Sequence, residues 1–150
     1  MQIKNYPFTS LRGRDRPMLL VRISDSDGTR RTVPLLAKID TGCDGCIFPF
    51  DIAEELGYDI KSAEQVPVET TSIPTEAHRI DSMMIEVIGM STDGSPDEKI
   101  LYRIPKVPIY FVKNTKQFLL GVEGFLDQFV LTVDYPNRVF SLVTQDKNQQ

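Results

Sequence analysis

Apolar residues along this chain fall in short runs that turn residues separate. Met18 to Ile23 is one such run, and the Asp25-Ser26-Asp27-Gly28 that follows it favours a tight hairpin. Residues 32–39 then alternate, which predicts a strand with Val33, Leu35, Ala37 and Ile39 on one face. Pro34 cannot donate to a strand ladder, so we expect that part of the strand at an edge or a bulge.

The rest of the chain continues in the same way. Further strands are predicted around residues 66–70, 80–88, 100–104, 107–112, 130–133 and 139–143, with breaks at 71–76 and 91–97. Two short helices interrupt them. Pro49, Asp51 and Gly57 mark the start and end of the first, with Ile52 and Leu56 facing the core. The second is predicted from four apolar residues at helical spacing, Val122, Phe125, Leu126 and Phe129. Many short strands with two short helices indicate a small closed or folded-over all-β architecture.

Composition narrows the possible partners. The 150 residues fit one domain, and 17 basic against 21 acidic residues give a net charge of -4. Nucleic acids and anionic membranes both require clustered Lys and Arg, so we expect neither as a partner. No apolar segment has the length of a membrane span or a signal peptide, so we expect a cytoplasmic protein.

One tripeptide carries the candidate chemistry. Asp40-Thr41-Gly42 follows the apolar Ile39, at the point where a strand must turn. Turns use these residue types routinely, so the tripeptide alone is equally consistent with a simple turn. Its context favours more than a turn. The first short helix follows the tripeptide, and Leu119-Leu120-Gly121 comes about eighty residues later, before the second helix and a terminal hairpin.

This order of motifs resembles the retroviral-type, or retropepsin-like, aspartic proteases and their cellular and prokaryotic relatives. The resemblance covers about residues 17–143 of a single domain 1–150, which ends in a polar tail, 144–150. It implies a closed β-barrel-like acid protease fold with two short helices and one Asp-Thr-Gly loop per subunit. It also implies that the Leu119-Leu120-Gly121 strand crosses beneath that loop.

The resemblance further implies a reaction and a partner. Hydrolysis of a peptide without a covalent intermediate needs one group to deprotonate water and another to protonate the leaving amide, and two carboxylates that share a proton can do both. Since the chain has one Asp-Thr-Gly, the second Asp40 must come from another copy across a two-fold axis. We therefore expect a homodimeric endopeptidase for peptide or protein substrates. In it Asp40 is catalytic, Thr41 bonds across the axis and Gly42 admits close backbone approach.

The hairpin of residues 62–88 would form the flap over the substrate, and two departures from the family pattern bear on activity. The flap tip carries Ile73 and Pro74 where relatives are usually rich in glycine. Asp44 keeps the acidic residue two positions after the tripeptide and is expected to bind substrate. However, Val122 replaces the Arg that many relatives pair with that acid. A fold that only dimerises or binds peptides therefore stays open as the alternative function.

Other chemistries are possible for the same residues. Cys43-Asp44-Gly45-Cys46 has the spacing of a redox motif, but the chain lacks the βαβ pattern of that fold. Two cysteines and the single His78 fall short of four zinc ligands, and the loop from Asp40 to Asp51 departs from a calcium loop at several positions. We expect the two cysteines to be packing residues, His78 to be a surface or cross-strand residue, and the protein to use neither a metal nor another cofactor.

Overall fold

The computed structural model describes residues 1–67 and 75–145. Its elements, in chain order, are β1 Gln2–Pro7, β2 Thr9–Leu11, β3 Arg14–Arg16, β4 Met18–Ser24, β5 Leu35–Ile39, β6 Cys46–Pro49, α1 Phe50–Glu55, β7 Glu64–Val66, β8 Ala77–Met90, β9 Pro96–Val112, β10 Leu119–Leu120, β11 Phe129–Asp134 and β12 Val139–Thr144. Single 3-10 turns occur at Ile60–Ser62 and Leu126–Gln128. Within these residues no helix is both long and apolar enough to cross a membrane.

Six strands close into a barrel. Hydrogen-bonded neighbours run in the order β4, β5, β10, β6, β9 and β8, and β8 pairs back onto β4. The interior is filled by apolar side chains that are almost fully buried, among them Val21, Ile23, Phe48, Ile85 and Phe111. Closure removes the free edges that an open sheet would expose. The predicted all-β, closed barrel is confirmed.

A second, three-stranded sheet contains both ends of the described chain. The order is β1, β12, β11, and β2 pairs with β3 in a separate hairpin. Ile3, Phe140 and Leu142 are buried beneath this sheet and join the barrel core. The predicted terminal hairpin is present as β11 and β12, with a turn in which Asn137 donates its backbone N–H to Asp134 Oδ1 at 3.0 Å.

The long hairpin of β8 and β9 is more continuous than the sequence predicts. Residues 100–104 and 107–112 form one strand, although Pro105 and Pro108 lie within it. Two β9 residues lie between the partners of Met83 and Ile85, where only one β8 residue separates those two. A bulge of this kind lets proline sit in a strand, because the ladder is already interrupted there.

The alternating strand before the Asp-Thr-Gly is shorter than predicted. β5 begins at Leu35, and Ala37 and Ile39 are buried as expected. Val33 is 65% exposed, however, while Thr32 is buried and its Oγ1 accepts the Ile23 N–H at 3.1 Å. The predicted inward face is therefore wrong before Pro34, because residues 32–34 lie outside the strand and the period of two does not apply to them.

One of the two predicted helices is a helix in the structure. α1 has Asp51 in its first turn, buries Ile52 and Leu56, and is followed by Gly57 at φ +81°. The second is only the 3-10 turn Leu126–Gln128, and Phe129 already begins β11. Gly124, at φ +80°, breaks any helix there, so the apolar spacing reflects packing of the turn onto the barrel.

Candidate functional site

The Asp40 loop begins at the end of β5, where the buried Ile39 fixes the direction of the chain. Asp40 Oδ1 accepts the Gly42 N–H at 3.0 Å, and the Asp40 carbonyl accepts the Cys43 N–H at 3.2 Å. The Asp40 side chain is 31% exposed. The loop therefore holds the carboxylate close to its own backbone while leaving it accessible from outside.

Strand β10 lies beneath this loop and is bonded to both sides of it. Leu120 is paired with Ile39 of β5, and Leu119 is paired with Ile47 of β6. The Asp40 N–H donates to the Leu120 carbonyl at 3.0 Å. This is the crossing that the resemblance implied for Leu119-Leu120-Gly121, and it fixes the backbone that carries the carboxylate.

Gly121 is required at the crossing because the two backbones touch there. A Cβ atom on Gly121 would lie 2.2 Å from the Gly45 carbonyl oxygen and 2.6 Å from that of Cys43. Just beyond it, the Val122 N–H donates to the Cys43 carbonyl at 3.0 Å and the Glu123 N–H to that of Asp44 at 2.7 Å. The second half of the loop is thus held by main-chain hydrogen bonds that a side chain at Gly121 would push apart.

The other predicted site residues belong either to the Asp40 loop or to the predicted flap tip. Thr41, Gly42 and Asp44 are all exposed on the loop. Asp44 forms no ion pair within residues 1–67 and 75–145. The predicted flap residues Ile73 and Pro74 lie outside the described residues. The structure thus places the Asp40 loop and the paired strands β7 and β8, which lead into the predicted flap tip.

An ion pair that the sequence did not reveal lies next to the loop. Arg79 on β8 is 3.3 Å from Glu123 Oε1 and donates to the Tyr110 hydroxyl at 3.0 Å, which in turn donates to Glu123 Oε2 at 2.9 Å. The Tyr110 ring covers Gly45, where a Cβ would be 2.5 Å from the ring. Val122, where many relatives carry Arg, is 40% exposed, and the ion pair that Arg79 forms here is with Glu123 and not with Asp44.

His78 is buried at the base of the flap hairpin and bonded through both ring nitrogens. Its Nδ1 is 2.9 Å from the Ala63 carbonyl oxygen, and its Nε2 is 2.9 Å from Glu76 Oε1. Both partners can only accept, so the two contacts are satisfied together when the ring is protonated. Burial lowers the pKa of His78, but the hydrogen bonds to Glu76 and Ala63 and the negative charge of Glu76 together raise it by more, so the net pKa lies above its ordinary value. Of the two positions that the sequence left open for His78, surface or cross-strand, the structure shows the second, because His78 is paired with Gln65 across the hairpin.

The two cysteines lack the properties of a redox pair. Cys46 is fully buried on β6, and burial raises its pKa to about 12. Burial also raises the pKa of Cys43, and the negative charges of Asp40 and Asp44 add to this effect. Attack on a disulfide requires a thiolate, which both environments disfavour. Both cysteines are free, and the packing role predicted for Cys46 agrees with its complete burial.

Among the described residues, no group of three or more His, Cys, Asp or Glu side chains is arranged to hold a metal ion. The segment from Asp40 to Asp51, which has some features of a calcium loop in the sequence, is folded into the turn, β6 and the start of α1.

Comparison with known proteins identifies the fold. No family model and no curated protein matches the sequence. Among solved structures, a retropepsin-like aspartic protease from Rickettsia conorii matches with a TM-score of 0.59 and 14% identity, over 95% of this chain and 89% of that one. The retroviral protease-like domain of Ddi1 from Leishmania major has a TM-score of 0.46 at 16% identity, over 89% and 98% of the two chains. EIAV protease complexed with the inhibitor HBY-793 has a TM-score of 0.38 at 16% identity, over 75% and 88%. The chain has the retropepsin-like fold, as the sequence predicts.

The crossing beneath the loop leads to a first prediction. Gly121→Ala should lower the free energy of unfolding by about 1–3 kcal/mol or more, because its Cβ meets main-chain atoms that cannot move aside cheaply. Gly42→Ala, in the Asp40 loop above the crossing, is the control. Its Cβ would lie 3.4 Å from its nearest neighbour, Asp40 Oδ1, so stability should change by less than about 0.5 kcal/mol. Urea unfolding measures both, and equal stabilities for the two variants would contradict the proposed packing.

The environment of His78 leads to a second prediction. Because the pKa of His78 is higher in the folded than in the unfolded chain, its contribution to stability is complete below about pH 6.5 and is lost as pH rises through the folded pKa. The free energy of unfolding should therefore fall as pH rises above about 6.5. His78→Gln should remove most of that slope, since the chain has no other histidine. A wild-type slope that survives unchanged in His78→Gln would show that another group is responsible.

Proposed function

We propose that the chain acts as a homodimeric aspartic endopeptidase, in which two Asp40 carboxylates, one from each copy, activate the water that hydrolyses a peptide bond. The position of Asp40 supports this most directly. Its backbone is bonded to Leu120 beneath it, its carboxylate is held by the Gly42 N–H, and about a third of the side chain is open to solvent. A fixed and accessible carboxylate is what activation of a water molecule requires.

The chemistry accounts for the need for a pair. The reaction requires one carboxylate to take a proton from water and another to deliver a proton to the leaving amide. Two carboxylates about 3 Å apart share one proton, because both cannot easily be ionised at once. Within one turnover the ionised partner acts as the base and the protonated partner as the acid, and the pair rather than either residue sets the pH dependence.

The second carboxylate comes from a second copy in this proposal. The sequence contains one Asp-Thr-Gly, and two copies related by a two-fold axis would place identical loops opposite each other. Thr41 and Gly42 are exposed beside Asp40, which leaves them available to the partner and to the substrate. The loop itself is held from beneath by β10, so association would require no rearrangement of the described backbone around Asp40.

A dimerisation or peptide-binding module without hydrolysis is the second candidate. The observation that favours it is Val122, an apolar side chain that is 40% exposed directly after the crossing. Its N–H donates to the Cys43 carbonyl of the Asp40 loop. A partner that packs against Val122 would therefore bind on the surface that also carries the proposed Asp40 dyad. Such a contact can support association whether or not the carboxylates hydrolyse a peptide.

The function is tested by replacing the carboxylate with a side chain of the same shape. Asp40→Asn should lower the rate of peptide hydrolysis by at least about a hundredfold, because an amide cannot act as acid or base. Its stability should change little, since Asn can still accept the Gly42 N–H. Hydrolysis of a peptide library, followed by mass spectrometry, measures the rate. Glu55→Gln, which alters an exposed carboxylate on α1, is the control and should keep full activity. Undiminished cleavage by Asp40→Asn would exclude Asp40 as the catalytic residue.

A further inference from the structure

Lys38 places a positive charge beside the Asp40 carboxylate. Lys38 is the last residue but one of β5, and Asp40 follows the end of that strand, so the two side chains lie close together. Lys38 Nζ lies 3.9 Å from Asp40 Oδ2, and the Lys38 side chain is 27% exposed. In the described part of the chain, Asp40 is its one ion-pair partner.

The strand holds Lys38 in a defined place. Its backbone N–H donates to the Phe118 carbonyl at 2.9 Å, and its register partners are Met18 on β4 and Leu119 on β10. Both partners are buried. Lysine can lay its aliphatic stem along apolar neighbours while its ammonium reaches water, which agrees with the partial exposure of this side chain.

The ion pair with Asp40 does not use a hydrogen-bond donor of the Lys38 ammonium. A charge-assisted N–H···O bond is about 2.7–2.9 Å long, so Asp40 at 3.9 Å is a neighbouring charge rather than a hydrogen-bond acceptor. An ammonium has three donors and no acceptor. A group that binds next to Asp40 and satisfies these donors must therefore present hydrogen-bond acceptors, and a carboxylate supplies both acceptors and the complementary charge.

We infer that Lys38 is a specificity-determining residue that selects peptides with an Asp or Glu side chain close to the cleaved bond. The inference rests on the proposed function, since a peptide that places its bond at Asp40 must pass within reach of Lys38. A Lys or Arg side chain at the same position in the substrate meets a like charge, which disfavours it. In the homodimer, each of the two subunits supplies one Lys38, so acidic residues are favoured on either side of the bond.

The experiment compares matched peptides on matched variants. Pairs of peptides that differ only by Glu or Gln, at each position flanking the cleaved bond, are given to wild type, Lys38→Met, Lys38→Arg and Lys61→Met. We expect wild type to favour the Glu peptide at one or more positions by about tenfold in kcat/KM, or about 1.4 kcal/mol. The preference should disappear in Lys38→Met, be largely restored in Lys38→Arg, and persist in Lys61→Met, which removes an exposed lysine from the Ile60–Ser62 turn.

The experiment distinguishes a failure of the inference about Lys38 from a failure of the proposed function. Asp40-dependent cleavage without a Glu preference, or with one that survives in Lys38→Met, overturns the inference and leaves the proposed function standing. If no peptide is cleaved in an Asp40-dependent way, the proposed function fails, and fluorescence titration of the same peptides decides the inference. Tighter binding of Glu peptides by wild type than by Lys38→Met supports it, and equal binding overturns it. Circular dichroism confirms that each variant is folded before either comparison.

Discussion

The main-chain contact between β10 and the Asp40 loop is the constraint on which this site depends. Two backbone segments far apart in the sequence meet with no side chain between them, because Gly121 supplies none. The hydrogen bonds from Asp40, Val122 and Glu123 then connect the segments on both sides. A carboxylate on a free loop would sample many positions, whereas this one is attached to the barrel through β5, β6 and β10.

Two basic side chains near that contact have different partners. Arg79, with Tyr110, ties the flap strand β8 to Glu123, directly after the crossing. Lys38, on β5, lies instead next to the Asp40 carboxylate.

Sequence reasoning succeeded where the signal is local. The apolar run Met18 to Ile23 located β4, and Pro49 with Gly57 bounded α1. The fold followed from the resemblance carried by Asp40-Thr41-Gly42 and Leu119-Leu120-Gly121. Sequence patterns could not reveal the contacts among Arg79, Tyr110 and Glu123. Arg79 and Tyr110 are 31 positions apart, and a hydrogen bond over that separation produces no periodic pattern in the sequence. The prediction of the second helix was wrong because the same apolar spacing also suits a turn packed on a barrel. Gly124, which adopts a positive φ, was the residue in the sequence that indicated a turn.

The central claim is that one active site needs an Asp40 from each of two copies, and subunit mixing tests it most directly. Wild type and Asp40→Asn are mixed in varying proportions at constant total concentration, allowed to exchange, and assayed on one peptide. If both carboxylates are required, activity follows the square of the wild-type fraction, so an equal mixture retains about one quarter. Activity that falls linearly, leaving about one half in the equal mixture, would mean that each chain works alone and would contradict the shared dyad.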